Sequence, residues 1–204
     1  MKKLPTNLLI GGILVFVVLF TAALSLIWTP HDHALMNISE KFHQPNNIYL
    51  LGTDQLGRDI LSQLMAASRN SMAVALIAVV LGGSIGTLLG LLASTIGGWI
   101  EELVMRFADI GFAFPALLFA IMLAAVFGPS LTNAILAIAF INIPIFARIA
   151  RASANQIWNL DFVTASKAAG MGRVTITFSH ILPNILAPII VPVSYTHLTL
   201  PTKA

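Results

Sequence analysis

The chain has 204 residues, of which 57% are hydrophobic and only 9% charged, and its mean hydropathy is +0.90. A soluble domain carries roughly 25% charged residues, so this composition excludes one and makes the bilayer the solvent. Cysteine is absent, which rules out a disulfide scaffold, a thiolate metal site and a cysteine nucleophile, and the net charge of +3 is too small for a nucleic-acid footprint.

Charge-free runs define the elements in chain order. Residues 1–7, with Lys2 and Lys3, form a short cytoplasmic N-terminus, and residues 8–28 (Leu8 to Trp28) form transmembrane helix 1. A cleaved signal peptide is the competing reading, but the apolar stretch exceeds an h-region and no small-x-small cleavage site follows it. Residues 29–70 form an outer loop, and residues 71–191 form a membrane core. Its second uncharged run spans Asn70 to Ile100, and a third spans Ile110 to Ala147. At ~1.5 Å per residue the third is roughly 57 Å long, nearly two bilayers. Gly128-Pro129-Ser130 supplies a turn, predicting helices over about 104–127 and 131–150. An inner loop follows at 151–183. The last apolar run, Ile185 to Val193, is too short to cross and marks the start of a fifth span.

Positive charge orients the spans. With the N-terminus inside, the inner segments hold Lys2, Lys3, Arg106, Arg148, Arg151, Lys167 and Arg173, and the outer ones Lys41, Arg58 and Arg69. The fold class is therefore all-α integral membrane, N-terminus cytoplasmic, with four full spans plus the start of a fifth. Residues 192–204 stand apart: an apolar run ends in polar, β-prone residues, and Val193 to Thr202 resembles a sequencing-library adapter translated in frame. The tail is expected to be non-native, and the chain a truncated fragment.

The inner loop is the most informative segment. Asp161 to Gly170 predicts a short helix, with Asp161 (or Asn159) at its N-cap and Gly170 as its stop. Phe162, Ala165 or Ser166, and Ala169 share one face, beside Lys167 and Arg173. Such a face suits a groove on a cytosolic partner; a solvated connector is the alternative. In the outer loop, Asp54, Arg58 and Asp59 are spaced to pair locally, and Gly52 and Gly57 permit tight turns. That segment either packs against a partner or forms a self-capping loop helix. His31, His33 and His43 read as polar loop residues rather than a metal site.

Gly82, Gly86 and Gly90 lie four apart on one face of the second span and predict a close helix-packing seam. Ser84, within Gly82-Gly83-Ser84-Ile85-Gly86, formally matches a nucleophile elbow but sits in a continuous apolar helix without partners. Arg106 and Asp109 predict an ion pair. Pro115 and Pro144 predict interruptions of the third and fourth spans, with Asn142 polar beside the second.

Two segments carry a family resemblance. Thr164-Ala165-Ser166, Gly170 and Leu182-Pro183 resemble the "EAA" loop of ABC importer permeases, keeping Ala165, Gly170, Leu182 and Pro183 in register while Thr164 replaces Glu, Ser166 the second Ala and His180 an Ile. Gly52-Thr53-Asp54-Gln55-Leu56-Gly57-Arg58-Asp59 resembles the signature of dipeptide/oligopeptide/nickel permeases of the C type. Gly97-Gly98-Trp99, Met105 to Asp109, Ala113-Phe114-Pro115 and Gly128 to Leu131 agree. The resemblance implies a permease subunit in a bacterial cytoplasmic membrane. It also implies a second permease subunit, two cytosolic ATP-binding subunits and an extracytoplasmic substrate-binding protein. Asp161, Thr164, Ala165, Ser166, Lys167, Gly170, Leu182 and Pro183 would then form the ATPase-coupling loop, with Lys167 and Arg173 as peripheral charge and Pro183 setting the entry angle of the fifth span. No phosphate-cradling loop and no cluster of intramembrane carboxylates occurs in the sequence. The chain is accordingly expected to hold no catalytic site, cofactor or metal, and to move on a partner's ATP hydrolysis. A secondary carrier or channel subunit is the alternative.

Overall fold

A computed structural model describes residues 6–195, with side chains described for residues 9–190. Among the described residues there are helices and turns but no strand; one isolated bridge joins Thr53 and Asp59. The chain divides into two compact units, one up to Val74 and one from Ala75.

In the first unit, α1 (Thr6–Leu24) stops four residues short of the expected Trp28. The chain tightens there: Leu26 N–H donates to Ala23 O and Ile27 N–H to Leu24 O, and the Ser25 hydroxyl donates to Ala22 O. These short-range bonds satisfy carbonyls that a helix end leaves open. A connecting segment with one 3-10 turn (Ile38–Glu40) leads to α2 (Ile60–Ile96). The start of α2 lies ten residues before the charge-free run because Asp59 caps it: its Oδ2 accepts from the Ser62 N–H at 3.0 Å and the Ser62 hydroxyl at 2.6 Å. The first turns then bury Met65 and Ala66, and Arg69, counted above among the outer charges, donates to Ser25 O at 3.3 Å.

In the second unit, the expected helix over 104–127 is two helices, α3 (Gly98–Ala113) and α4 (Ala116–Phe127), bent by 81°. Gly97 and Gly98 turn with φ of +72° and +59°, which starts α3 early. Pro115 forces Phe114 into extended backbone (φ −84°, ψ 122°), which ends α3. Helix α5 (Leu131–Trp158) begins at Ser130, whose hydroxyl accepts from Asn133 N–H at 3.1 Å, and runs eight residues past the expected end. Contrary to expectation, Pro144 does not interrupt it. Its ring is accommodated against Gly111, where even a β-carbon would lie 3.2 Å from Pro144 Cγ.

After α6 (Asp161–Ala168), α7 (Arg173–Ile176), a π turn (Thr177–Ile181) and α8 (Leu182–Tyr195) follow without a break. The helix thus enters at Arg173, twelve residues before Ile185, and Pro183 lies inside it rather than at its entrance. Proline has no N–H to offer the preceding turn; the wide turn sits directly upstream, and Asn184 Nδ2 donates to His180 O at 2.6 Å. Of the expected tail, residues 196–204 lie outside the described residues, as do residues 1–5 of the N-terminus.

Three helical stretches are long and apolar enough to cross a membrane, Ile60–Ile96, Leu131–Trp158 and Arg173–Ile190; the bent pair α3 and α4 makes four if counted as one span. Large apolar side chains such as Phe16, Leu88 and Val126 stand exposed along the helices, as lipid-facing surface requires. The core of the second unit gathers Leu91, Phe146, Ala150, Ala154, Val163, Ile176, Ile181, Ile185 and Ile189.

Candidate functional site

Helix α6 is built to be held on one side and open on the other. Its cap position is Leu160, without a side-chain bond, so Asp161 is the first helical residue rather than the cap. There it sits in the first turn, at the positive end of the helix dipole. Asn159 instead closes α5, its side chain donating to Asn155 O at 3.0 Å. At the far end Gly170 takes φ +85°. Gly170 N–H donates to Lys167 O and Met171 N–H to Ser166 O, the paired bonds of a Schellman closure. Val163 is fully buried in the core of the unit. Phe162, Thr164, Ala165 and Ala169 are exposed and Ser166 half-buried. The hydroxyls do not point outward, since Ser166 Oγ donates to Phe162 O at 2.8 Å and Thr164 Oγ1 to Leu160 O at 3.5 Å. What remains is a shallow apolar face. The Lys167 ammonium lies 4.8 Å from the centroid of the Trp158 ring. Leu182 packs against the core, and Pro183 is exposed one residue on.

Polar groups tie the surrounding helix ends together. Arg151 Nε donates to Glu101 Oε1 at 2.5 Å, Asn155 Nδ2 approaches the same oxygen at 3.4 Å, and Ser94 Oγ donates to Asn155 Oδ1 at 2.6 Å. Thr95 and Thr177 share a hydrogen bond at 2.7 Å, and Arg173 donates to Ile96 O at 3.3 Å. The expected Arg106–Asp109 pair does not form. Arg106 pairs with Glu102 one turn back at 2.5 Å, and Asp109 pairs with Arg148 of α5. None of these cross-helix partners was found in the sequence, where only local spacing is visible; the i, i+4 relation of Glu102 to Arg106 was the one available signal.

Gly82, Gly86 and Gly90 all face α5. A β-carbon on each would collide with the carbonyl of Ala139, Ile143 and Ala147 in turn, a ladder rising four residues at a time on both helices. Gly83 and Ser84 lie beside this ladder within α2.

In the first unit the Gly52 to Asp59 segment folds into a knot rather than a loop helix. Gly52 and Gly57 take φ of +76° and +72°. The Thr53 hydroxyl donates to Glu40 O and accepts from His43 N–H. Asp54 accepts from the Arg58 N–H at 2.9 Å, the Arg58 Nε at 2.8 Å, the Leu56 N–H at 2.8 Å and Gln63 Nε2 at 3.1 Å. The Arg58 backbone donor, followed by its guanidinium, holds the Asp54 carboxyl far below the usual range against the opposing effect of burial. For Asp59, burial pushes the carboxyl up, but the two Ser62 donors and His31 outweigh it and the net shift is downward. The local pairing of Asp54 with Arg58 forms, at 2.7 Å; Asp59 caps α2 instead. His31 lies 3.4 Å from Asp59, His33 beside Asp32 and His43 beside Glu40, so the three histidines face three different carboxylates.

Comparison with known proteins completes the description. Residues 86–200 match the family described as "Binding-protein-dependent transport system inner membrane component". The chain is 41% identical over 192 residues to the dipeptide transport system permease protein DppC of Alkalihalophilus pseudofirmus, covering 93% of this chain and 63% of that protein. It is 40% identical to the DppC of Haemophilus influenzae, over 90% of this chain and 64% of that protein. It is also 39% identical to the glutathione transport system permease protein GsiD of Pectobacterium atrosepticum, over 72% of this chain and 49% of that protein. The chain thus spans less than two thirds of the length of these relatives. With its bilayer composition and apolar helices, the chain is a multi-pass inner-membrane protein and belongs to the family of binding-protein-dependent transport system inner membrane components.

Proposed function

We propose that the chain is the larger part of a permease subunit in an ATP-driven importer of peptides or related small solutes, forming half of the translocation pathway. The relatives' names, a dipeptide permease and a glutathione permease among them, support short peptides as the substrate class. The N-terminus lies in the cytoplasm. Helices α1, α2, the bent pair α3–α4, and α5 make four spans, and the helix from Arg173 begins a fifth. A second permease subunit completes the pathway, two cytosolic ATP-binding subunits drive it, and an extracytoplasmic binding protein delivers the substrate. The chain itself catalyses nothing.

In this reading α6 is the coupling helix. The observation that carries it is the division of α6 between Val163, locked into the core shared by α5 and α8, and Phe162, Ala165 and Ala169, left open. A partner pressing on the open face displaces the core through the buried one. Gly170 serves this arrangement by its positive φ, since a β-carbon there would meet nothing within 4 Å. The Gly52 to Asp59 knot shapes the outer segment by consuming its own polar groups, leaving Phe42, Ile48 and Leu50 exposed for a partner subunit or the binding protein.

Cysteine placed at Ala165 of the complete chain, in native vesicles, should crosslink to the ATP-binding subunit; repeated failure to capture any nucleotidase there would sink the assignment. Replacing Gly170 with leucine should abolish uptake while leaving membrane insertion unchanged.

A further inference from the structure

Helix α6 has two attachments to the rest of its unit that point to different elements. Val163 enters the apolar core. Lys167, on the last turn, sets its ammonium over the indole of Trp158, the last residue of α5. The same ring carries a second cation: the Arg173 guanidinium lies 5.8 Å from its centroid. Arg173 in turn donates to Ile96 O, the final residue of α2. Trp158 packs against the core cluster, yet its Nε1–H is buried without a partner among the described residues. Tryptophan usually finds a bond for that hydrogen when buried. Here the polar handle is idle and the faces of the ring are used, which a cation–π contact rewards and a hydrogen-bonding role would not.

We propose that Trp158 is a positioning residue of the coupling device, a strut that transmits displacement of α6 into the end of α5 and, through Arg173, into the end of α2. This rests on the reading of α6 as the coupling helix. It also gives Lys167 and Arg173, both exposed, a role in the strut besides their place on the surface that a partner would meet. Coulombic attraction to a ring face is directional and short-ranged. Moving Lys167 away from Trp158 without moving the ring forfeits it, so the two ends of the contact travel together.

The test uses the complete chain in its assembled transporter. These 204 residues hold no cysteine, so in an assembly whose other cysteines are replaced, single thiols at Ala165 and at Ile96 can be followed by maleimide labelling, with and without ATP and vanadate. In the parent protein both rates should respond to nucleotide trapping. In Trp158→Leu the Ala165 response should persist while the Ile96 response falls roughly three- to tenfold, the factor an ordinary cation–π contact carries. Trp158→Phe, which keeps a ring face and lacks the N–H, should restore most of the Ile96 response. An unchanged Ile96 response in Trp158→Leu overturns the strut, as does a Trp158→Phe variant no better than leucine. Absence of any response at Ala165 in the parent protein overturns the coupling reading and the strut with it, a result distinguishable from the first two.

Discussion

The segment between α1 and α2 and the segment after α5 both leave a helix and return to one, yet they are held by opposite means. Between α1 and α2 the chain is fixed by hydrogen bonds: Thr53, Asp54 and Asp59 use their oxygens on partners no more than thirteen residues away, apart from the His31 contact to Asp59. After α5 the chain is fixed by apolar burial, with Val163, Ile176, Ile181 and Ile185 fully inaccessible in one cluster that includes Phe146. A knot of local polar bonds keeps its shape whatever its neighbours do. A helix anchored through a shared core moves when that core moves. The contrast separates a segment suited to present a fixed surface from one suited to pass on a displacement.

The largest effect that bears on this contrast lies in the glycine ladder, which positions the core under α6. Gly86→Ala places a methyl against Ile143 O and the Phe146 side chain and should cost about 2–3 kcal/mol, read as a lowered unfolding temperature in detergent. Gly83→Ala, whose methyl meets only the Phe146 ring at 3.5 Å, should cost nothing. Equal losses in the two would show that the ladder is not a close-approach seam. A loss of similar size, confined to the first unit, is expected for Gly57→Ala. It forces an L side chain to φ +72° and into Asn37 O, costing about 1–3 kcal/mol, and should open the 43–59 segment to protease while leaving the second unit intact. If both units loosen together, the independence of the knot is wrong.

The smallest effect is one of pH. Asp54 and Asp59 have folded-state carboxyls below their ordinary values, so an unfolded segment binds more protons than the folded one once the pH nears about 4. The stability they supply is complete above that pH and is lost as the pH falls further, through the depressed values. Amide hydrogen exchange in the 43–59 segment, corrected for the intrinsic pH dependence of exchange, should therefore lose protection below about pH 4. Asp54→Asn should be less protected at neutral pH and show a flatter acid profile; an identical profile would assign the acid sensitivity to other groups.

Much of this was legible in the sequence where a cause is local. The glycines at 82, 86 and 90 announced a seam by spacing alone, Gly170 a helix stop, and Pro115 a break. The 81° angle at that break was not legible, because Pro115 fixes only the residue before it. Charge-free runs misplaced the start of α2, since Asp59 and Ser62 are polar yet both buried at its cap. They misplaced the helix at Arg173 for a similar reason: the stretch from Arg173 to His180 mixes polar and apolar residues, and its Ile176, Thr177 and Ile181 find burial only against distant residues. Asp109 had two arginines to choose from, and the one on another helix, 39 residues away, took it. Trp158 had no periodic signal, because its partners at Lys167 and Arg173 belong to separate elements.

The wide turn at Thr177–Ile181 has a geometric consequence for everything C-terminal to it. An α-helix advances about 100° per residue, so one surplus residue in a turn resets the azimuth of the rod that follows by about that angle. Ile185 and Ile189, which point inward at Phe146 and Ala150, would swing toward lipid were the turn to tighten to regular pitch. Deleting a single residue from this stretch should thus close the turn with Ile185 and Ile189 still facing inward, whereas deleting one from the regular turn between Leu182 and Asn184 should rotate them by about 100° toward lipid.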